Sequence, residues 1–76
     1  MSIKIYTTPT CTYCIQAKNY FEGKNIDYEE IDVSKDQKAA QEMIKISGQM
    51  GVPVILINDQ TVVGFDKDKI ESILKA

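Results

Sequence analysis

Two cysteines separated by two residues, Cys11-Thr12-Tyr13-Cys14, stand between a short strand-like run and a helical one. A thiol at such a junction faces the unpaired N–H groups and the positive dipole end of the helix, which favour the thiolate. The pair also demands a fold in which a strand hands straight on to a helix, as in alternating α/β architectures. It is a poor staple, because a bridge between residues so close in sequence closes a very small loop and constrains the unfolded chain weakly. These are the only cysteines among 76 residues, so chemistry explains them better than scaffolding does.

The length predicts one domain, residues 1–76, with room for one modest core. All nine basic residues are lysines, there is no histidine, and the formal net charge is −2. With no basic stripe, nucleic acid is not an expected partner. Without arginine the chain lacks the best bidentate grip on a carboxylate or phosphate. Without histidine or a third cysteine, neither a Cys/His catalytic pair nor a zinc site within one chain is expected. No signal-peptide pattern and no membrane-length apolar run is present, so a cytoplasmic, reducing setting is expected, with no membrane association.

Residues 3–6, Ile-Lys-Ile-Tyr, alternate as a strand with Ile3 and Ile5 on one face. The spacing of Tyr13, Ala17, Tyr20 and Phe21 predicts an amphipathic helix over residues 12–22, with Gly23 just past its end. A second strand is expected over residues 26–33, with Tyr28, Ile31 and Val33 as its apolar members. Ser34 followed by Gln37 resembles a capping box, opening a helix to about Ser47 with Ala40, Met43 and Ile44 inward and Gly48 as the stop. Strand, helix, strand, helix in this order implies a crossover and two parallel strands.

Val54-Ile55-Leu56-Ile57 is the most apolar run, which predicts a central strand buried on both faces. Pro53 is tolerable at its start. Asn58-Asp59 signals a hairpin into a strand over residues 61–63, ended by Gly64. Asp66 reads as the N-cap of a last helix, with Phe65 and Ile70 as its hydrophobic staple and Ile70, Ile73 and Leu74 as its buried face. The expected order is β-α-β-α-β-β-α.

The chemistry follows from position. Cys11, at the helix start, is the expected nucleophile, since such environments lower a thiol pKa from about 8.5 into roughly the 3.5–7.5 range. Cys14, one turn further in, is the expected resolving thiol. Cys11 attacks a substrate disulfide, and Cys14 then attacks the mixed disulfide, leaving a Cys11–Cys14 bridge. Tyr13 is read either as a helix-face aromatic packing on Ala17 or as a substrate contact beside the sulfur. Asp66 is by default a cap, but it also places a carboxylate and free N–H groups where an amino-acid-like end could be held.

Together, Ile-Tyr-Thr before the cysteines, Cys11-Thr12-Tyr13-Cys14, Gly51-Val52-Pro53 and Val63-Gly64-Phe65-Asp66 resemble the glutaredoxin family along nearly the whole chain. The resemblance implies a thioredoxin fold of the α/β class, a four-stranded mixed sheet with three helices, and a monomer. It implies a cis Val52–Pro53 bond facing the cysteines, which leaves the Val52 backbone free to pair with an extended substrate. Glutathione, the implied reductant, would lie with its cysteine near Cys11 and Tyr13, its middle on Val52, and its γ-glutamyl end at Gly64-Phe65-Asp66. Gln49 falls where the family often has arginine or glutamine, which implies a carboxylate contact.

The chain departs from the family pattern in three places. Thr12 replaces the usual proline, Thr8 replaces a common lysine, and Val63-Gly64 replaces a double glycine. Gly64-Phe65 is similar to NrdH-type redoxins, whose partners are thioredoxin reductase and ribonucleotide reductase. Two alternatives therefore stand beside a glutathione-dependent oxidoreductase acting on disulfide-containing proteins. One is an NrdH-type electron donor. The other, from a different class, is a dimer holding a glutathione-ligated [2Fe–2S] cluster through one Cys11 from each subunit.

Overall fold

The computed structural model describes residues 2–75. The elements run β1 (Ile3–Thr7), α1 (Thr12–Gly23), β2 (Glu29–Asp32), α2 (Gln37–Ser47), β3 (Val54–Ile57), β4 (Gln60–Val63) and α3 (Lys67–Lys75). Four strands form one sheet in the order β2-β1-β3-β4. β1 is parallel to β2 and antiparallel to β3, and β3 is antiparallel to β4. This is the mixed four-stranded, three-helix thioredoxin fold that the resemblance implies.

The period of two along β1 and β3 sorts the core into two layers. Ile3, Ile5, Ile55, Ile57 and Val62 share one face with Ala17 and Phe21 of α1 and Ile70 of α3. Tyr6 and Val54 turn the other way, against Ala39 and Met43 of α2. Val54, Ile55 and Ile57 are fully buried, so β3 fills both layers as its unbroken apolar run predicts. Asn58, at φ 54°, turns the hairpin, and its N–H donates to the Ser2 carbonyl at 2.7 Å, tying the start of the chain to the turn.

Several local expectations are corrected. Gly23 is the last residue of α1, not the residue beyond it, and the left-handed residue at this end is Asn25, at φ 56°. The buried residues of α1 are Cys14, Ala17 and Phe21. Tyr13 is 62 % exposed, so it does not belong to the packed stripe. A one-residue rotation of the stripe explains this: Cys14 and Phe21 lie seven apart, two turns along the same line, with Ala17 between them. The second strand is shorter than expected, and Ile26 and Tyr28 pack against the core without joining the sheet.

The capping box at Ser34 is not formed. Asp36 is the N-cap of α2, accepting from the Ala39 N–H at 3.1 Å. Ser34 instead donates its N–H and hydroxyl to the Asp32 carboxylate. The Ser34 hydroxyl foremost holds the Asp32 carboxyl below its ordinary value. That contribution to stability is present above the unfolded pKa and is lost as pH falls through the lowered one. The inward residues of α2 are Ala39 and Met43, while Ala40 is half-buried and Ile44 is exposed. Gly48 stops the helix at φ 75°, as expected. Asp36→Ala should cost about 1 kcal/mol in urea denaturation, whereas Ser34→Ala should stay within about 0.5 kcal/mol. The reverse ranking would return the cap to Ser34.

Candidate active site

The register Tyr6↔Val54 and Val54↔Val63 places the end of β1, the start of β3 and the end of β4 at one end of the sheet. The connections that leave there span residues 8–11, 48–53 and 64–66. With the first turn of α1 they carry every site residue read from the sequence.

Cys11 is the N-cap of α1, with extended backbone at φ −90° and ψ 112°. Its Sγ accepts a hydrogen bond from the Cys14 N–H at 3.1 Å, so sulfur occupies the place that an oxygen takes in ordinary caps. Cys11 and Cys14 are joined by a disulfide with Cα atoms 5.2 Å apart. Cys11 is half-buried and Cys14 is 1 % exposed, so the pair is asymmetric and its second residue belongs to the core. Thr7, the one buried polar residue among the described residues, ends β1 just before the loop. The Val33 N–H donates to its carbonyl at 2.9 Å, and its hydroxyl donates to Glu30, which also pairs with Lys18 of α1 at 2.7 Å.

Two further connections leave the same end of the sheet. The Val52–Pro53 bond is cis. Pro53 is buried, and its carbonyl accepts from the Gly64 N–H at 2.8 Å, which fastens the loop before β3 to the end of β4. Gly64 lies at φ 79°, a region open to glycine and costly for other residues. Val52 is half-buried against the α2-side core. Tyr13 stands exposed on the first turn of α1, which disfavours the reading that packs it on Ala17.

Phe65 packs against the core cluster that holds Ile70, in keeping with the staple read from the sequence, and meets Tyr20 edge-on at 5.8 Å. The Gln49 side chain is bonded to the backbone of Gly51, not extended toward solvent. Asp66 caps α3 as expected, accepting from the Lys69 N–H at 3.2 Å. Sequence reading missed the support given by Thr7 and Glu30. The signal was a threonine ending the first strand and a glutamate in the next, two residues before the threonine's strand partner Asp32. Among the described residues no group of three or more His, Cys, Asp or Glu is placed to hold a metal ion, and no helix is long and apolar enough to cross a membrane.

Comparison with known proteins matches residues 3–62 to the glutaredoxin family model. A glutaredoxin-like 8.6 kDa protein of the rubredoxin operon of Clostridium pasteurianum, itself uncharacterized, is 45 % identical over 73 residues, covering 96 % of this chain and 97 % of that protein. Glutaredoxin 3 of Escherichia coli K12 is 37 % identical over 65 residues, covering 86 % of this chain and 78 % of that one. Among solved structures, the NrdH-redoxin of Escherichia coli superposes with a TM-score of 0.85 at 32 % identity, covering 96 % of this chain and 95 % of that one.

Proposed function

The chain belongs to the glutaredoxin family, whose members are thiol–disulfide oxidoreductases, and on that premise we propose that it reduces protein disulfides or glutathione mixed disulfides through a Cys11/Cys14 cycle. The observation that carries this reading is the asymmetry of the pair: a half-buried cap sulfur bonded to a backbone N–H, beside a sulfur sealed in the core.

In the reduced protein the Cys14 N–H and the open end of α1 favour negative charge on the Cys11 sulfur. That thiolate attacks one sulfur of the substrate disulfide, forming a mixed disulfide and expelling the other half as a thiolate. Cys14 gives up its proton and attacks the Cys11 sulfur. The second half of the substrate leaves, and the Cys11–Cys14 disulfide remains. Two glutathione molecules then restore the dithiol and leave as glutathione disulfide, so two electrons enter and two are delivered. Tyr13, Val52, Pro53, Gly64, Phe65 and Asp66 form the surroundings of this exchange. Tyr13, exposed on the first turn of α1, serves as a substrate contact, and the Val52 backbone pairs with a peptide-like substrate. Phe65 acts from the core side by setting the turn that presents Asp66.

A second reading is an NrdH-type donor recharged by thioredoxin reductase. It is favoured by the engagement of Gln49 with Gly51, which removes a group expected to hold a glutathione carboxylate. The NrdH-redoxin to which the chain is similar is described as having a thioredoxin-like activity profile. The oxidised protein, offered glutathione with glutathione reductase in one cuvette and thioredoxin reductase in another, separates the two. Reduction by glutathione is expected, and rapid reduction by thioredoxin reductase alone would overturn the first reading. Cys14→Ser should retain activity on glutathione mixed disulfides, since the first exchange needs Cys11 alone. Complete loss there would indicate an obligate dithiol donor.

A further inference from the structure

Gln49 lies two residues before Gly51 and three before Val52, and its side chain reaches forward along the chain. Its Oε1 accepts from the Gly51 N–H at 2.5 Å, and its Nε2 donates to the Gly51 carbonyl at 3.0 Å. One planar amide can meet the N–H and the carbonyl of a single residue only where both point the same way, as in an extended strand. The amide thus exchanges both bonds with Gly51, approaching from the side on which a side chain would stand. The backbone of Gln49 is itself held at the end of α2, with the Ser47 hydroxyl 3.3 Å from its N–H nitrogen and 2.9 Å from its carbonyl oxygen.

Gly51 is required by this contact for its lack of a side chain. Its φ is not in the left-handed region, but a Cβ there would lie 2.6 Å from the Gln49 Oε1. The chain bends at the next residue, Val52, just before the cis bond to Pro53. Among the described residues neither Val52 group has a hydrogen-bond partner.

We propose that Gln49 is a positioning residue, its side-chain amide clamping the N–H and carbonyl of Gly51 and so pre-setting the adjoining Val52 backbone for a peptide-like disulfide substrate. This deepens the proposed function, because it rests on the reading that such a substrate pairs with Val52. Gln49 acts through Gly51 and Val52, and its amide does not hold the substrate carboxylate.

The test is a single-turnover oxidation of the pre-reduced protein, which converts one dithiol to a disulfide while one disulfide becomes two thiols. Gln49→Ala should lower the rate constant with glutathione disulfide roughly three- to tenfold, the range of one or two backbone bonds no longer pre-set. With bis(2-hydroxyethyl) disulfide, which has no peptide backbone, the rate should stay within about twofold. The loss should be the same with the methyl ester of glutathione disulfide. Gly51→Ala should reproduce it, and the double variant should lose no more than either single one. Amide exchange at Gly51 should accelerate in Gln49→Ala. A loss that disappears with the ester would assign Gln49 to the carboxylate and overturn the proposal. So would equal losses with both disulfides, or unchanged exchange at Gly51. If the wild type reacts no faster with glutathione disulfide than with bis(2-hydroxyethyl) disulfide, the substrate reading itself fails. The exchange at Gly51 then decides the clamp alone.

Discussion

Cys11→Ser is expected to bring disulfide reduction below roughly one part in 10³ of wild type, because a hydroxyl cannot replace a thiolate as the attacking group. The substitution is informative because it should spare the fold. Serine is among the best N-cap residues, and its hydroxyl oxygen can accept from the Cys14 N–H as the sulfur does. Urea denaturation of the reduced forms should therefore give midpoints close to wild type, separating chemistry from structure. Cys11→Ala would confound the two, since it removes both the nucleophile and the cap. Turnover surviving in Cys11→Ser would move the nucleophile to Cys14, a sulfur with 1 % exposure.

Phe21→Ala should be the most destabilising single substitution, by about 3–5 kcal/mol. The ring is fully buried between α1 and the sheet, with Tyr20 at 5.5 Å and Tyr28 at 6.0 Å between ring centroids. Truncation would leave a cavity under both neighbours. A chain of this size has a total stability of about 4–11 kcal/mol, so the variant should lose much or all of its cooperative transition. Thermal unfolding should shift by about 12 °C or more. Tyr13→Ala, on the same helix, should leave stability within about 0.5 kcal/mol because Tyr13 is mostly exposed. A large loss for Tyr13 and a small one for Phe21 would mean that the buried stripe has been placed on the wrong side of α1.

That pair of aromatics shows where sequence periodicity stops. Tyr13 and Phe21 both fit a stripe through Ala17, and spacing alone cannot say whether the stripe begins at Tyr13 or at Cys14. The choice was made by the sheet, which takes Cys14 into the core and leaves Tyr13 outside. Ser34 and Asp36 give the same lesson at the start of α2. Both are good caps, and the decision fell to Asp32, whose carboxylate holds Ser34 in the preceding turn. Ile44 has the right hydrophobicity and nearly the right spacing, yet one helix over this face of the sheet leaves it exposed.

Other features were readable because they depend on neighbours along the chain. Strand alternation, the Asn58-Asp59 turn, the Gly48 stop and the Asp66 cap are short-range consequences of residue type, and each lies where the residues place it. The order of elements and the central place of Val54–Ile57 followed from them. So did the position of Cys11 at the mouth of a helix, which is a matter of which residue precedes which. What only the tertiary structure decided was the use of side chains that can satisfy more than one partner. Phe65 was expected to pack toward Ile70, and the structure gives it Tyr20 as an edge-on partner. Gln49 could have reached into solvent and instead pairs with Gly51. The cysteine pair was legible from sequence as the reactive centre. The side chains around it acquired their places only when three connections from distant parts of the chain met at one end of the sheet, because a hydrogen bond or a ring contact is chosen by what lies within reach.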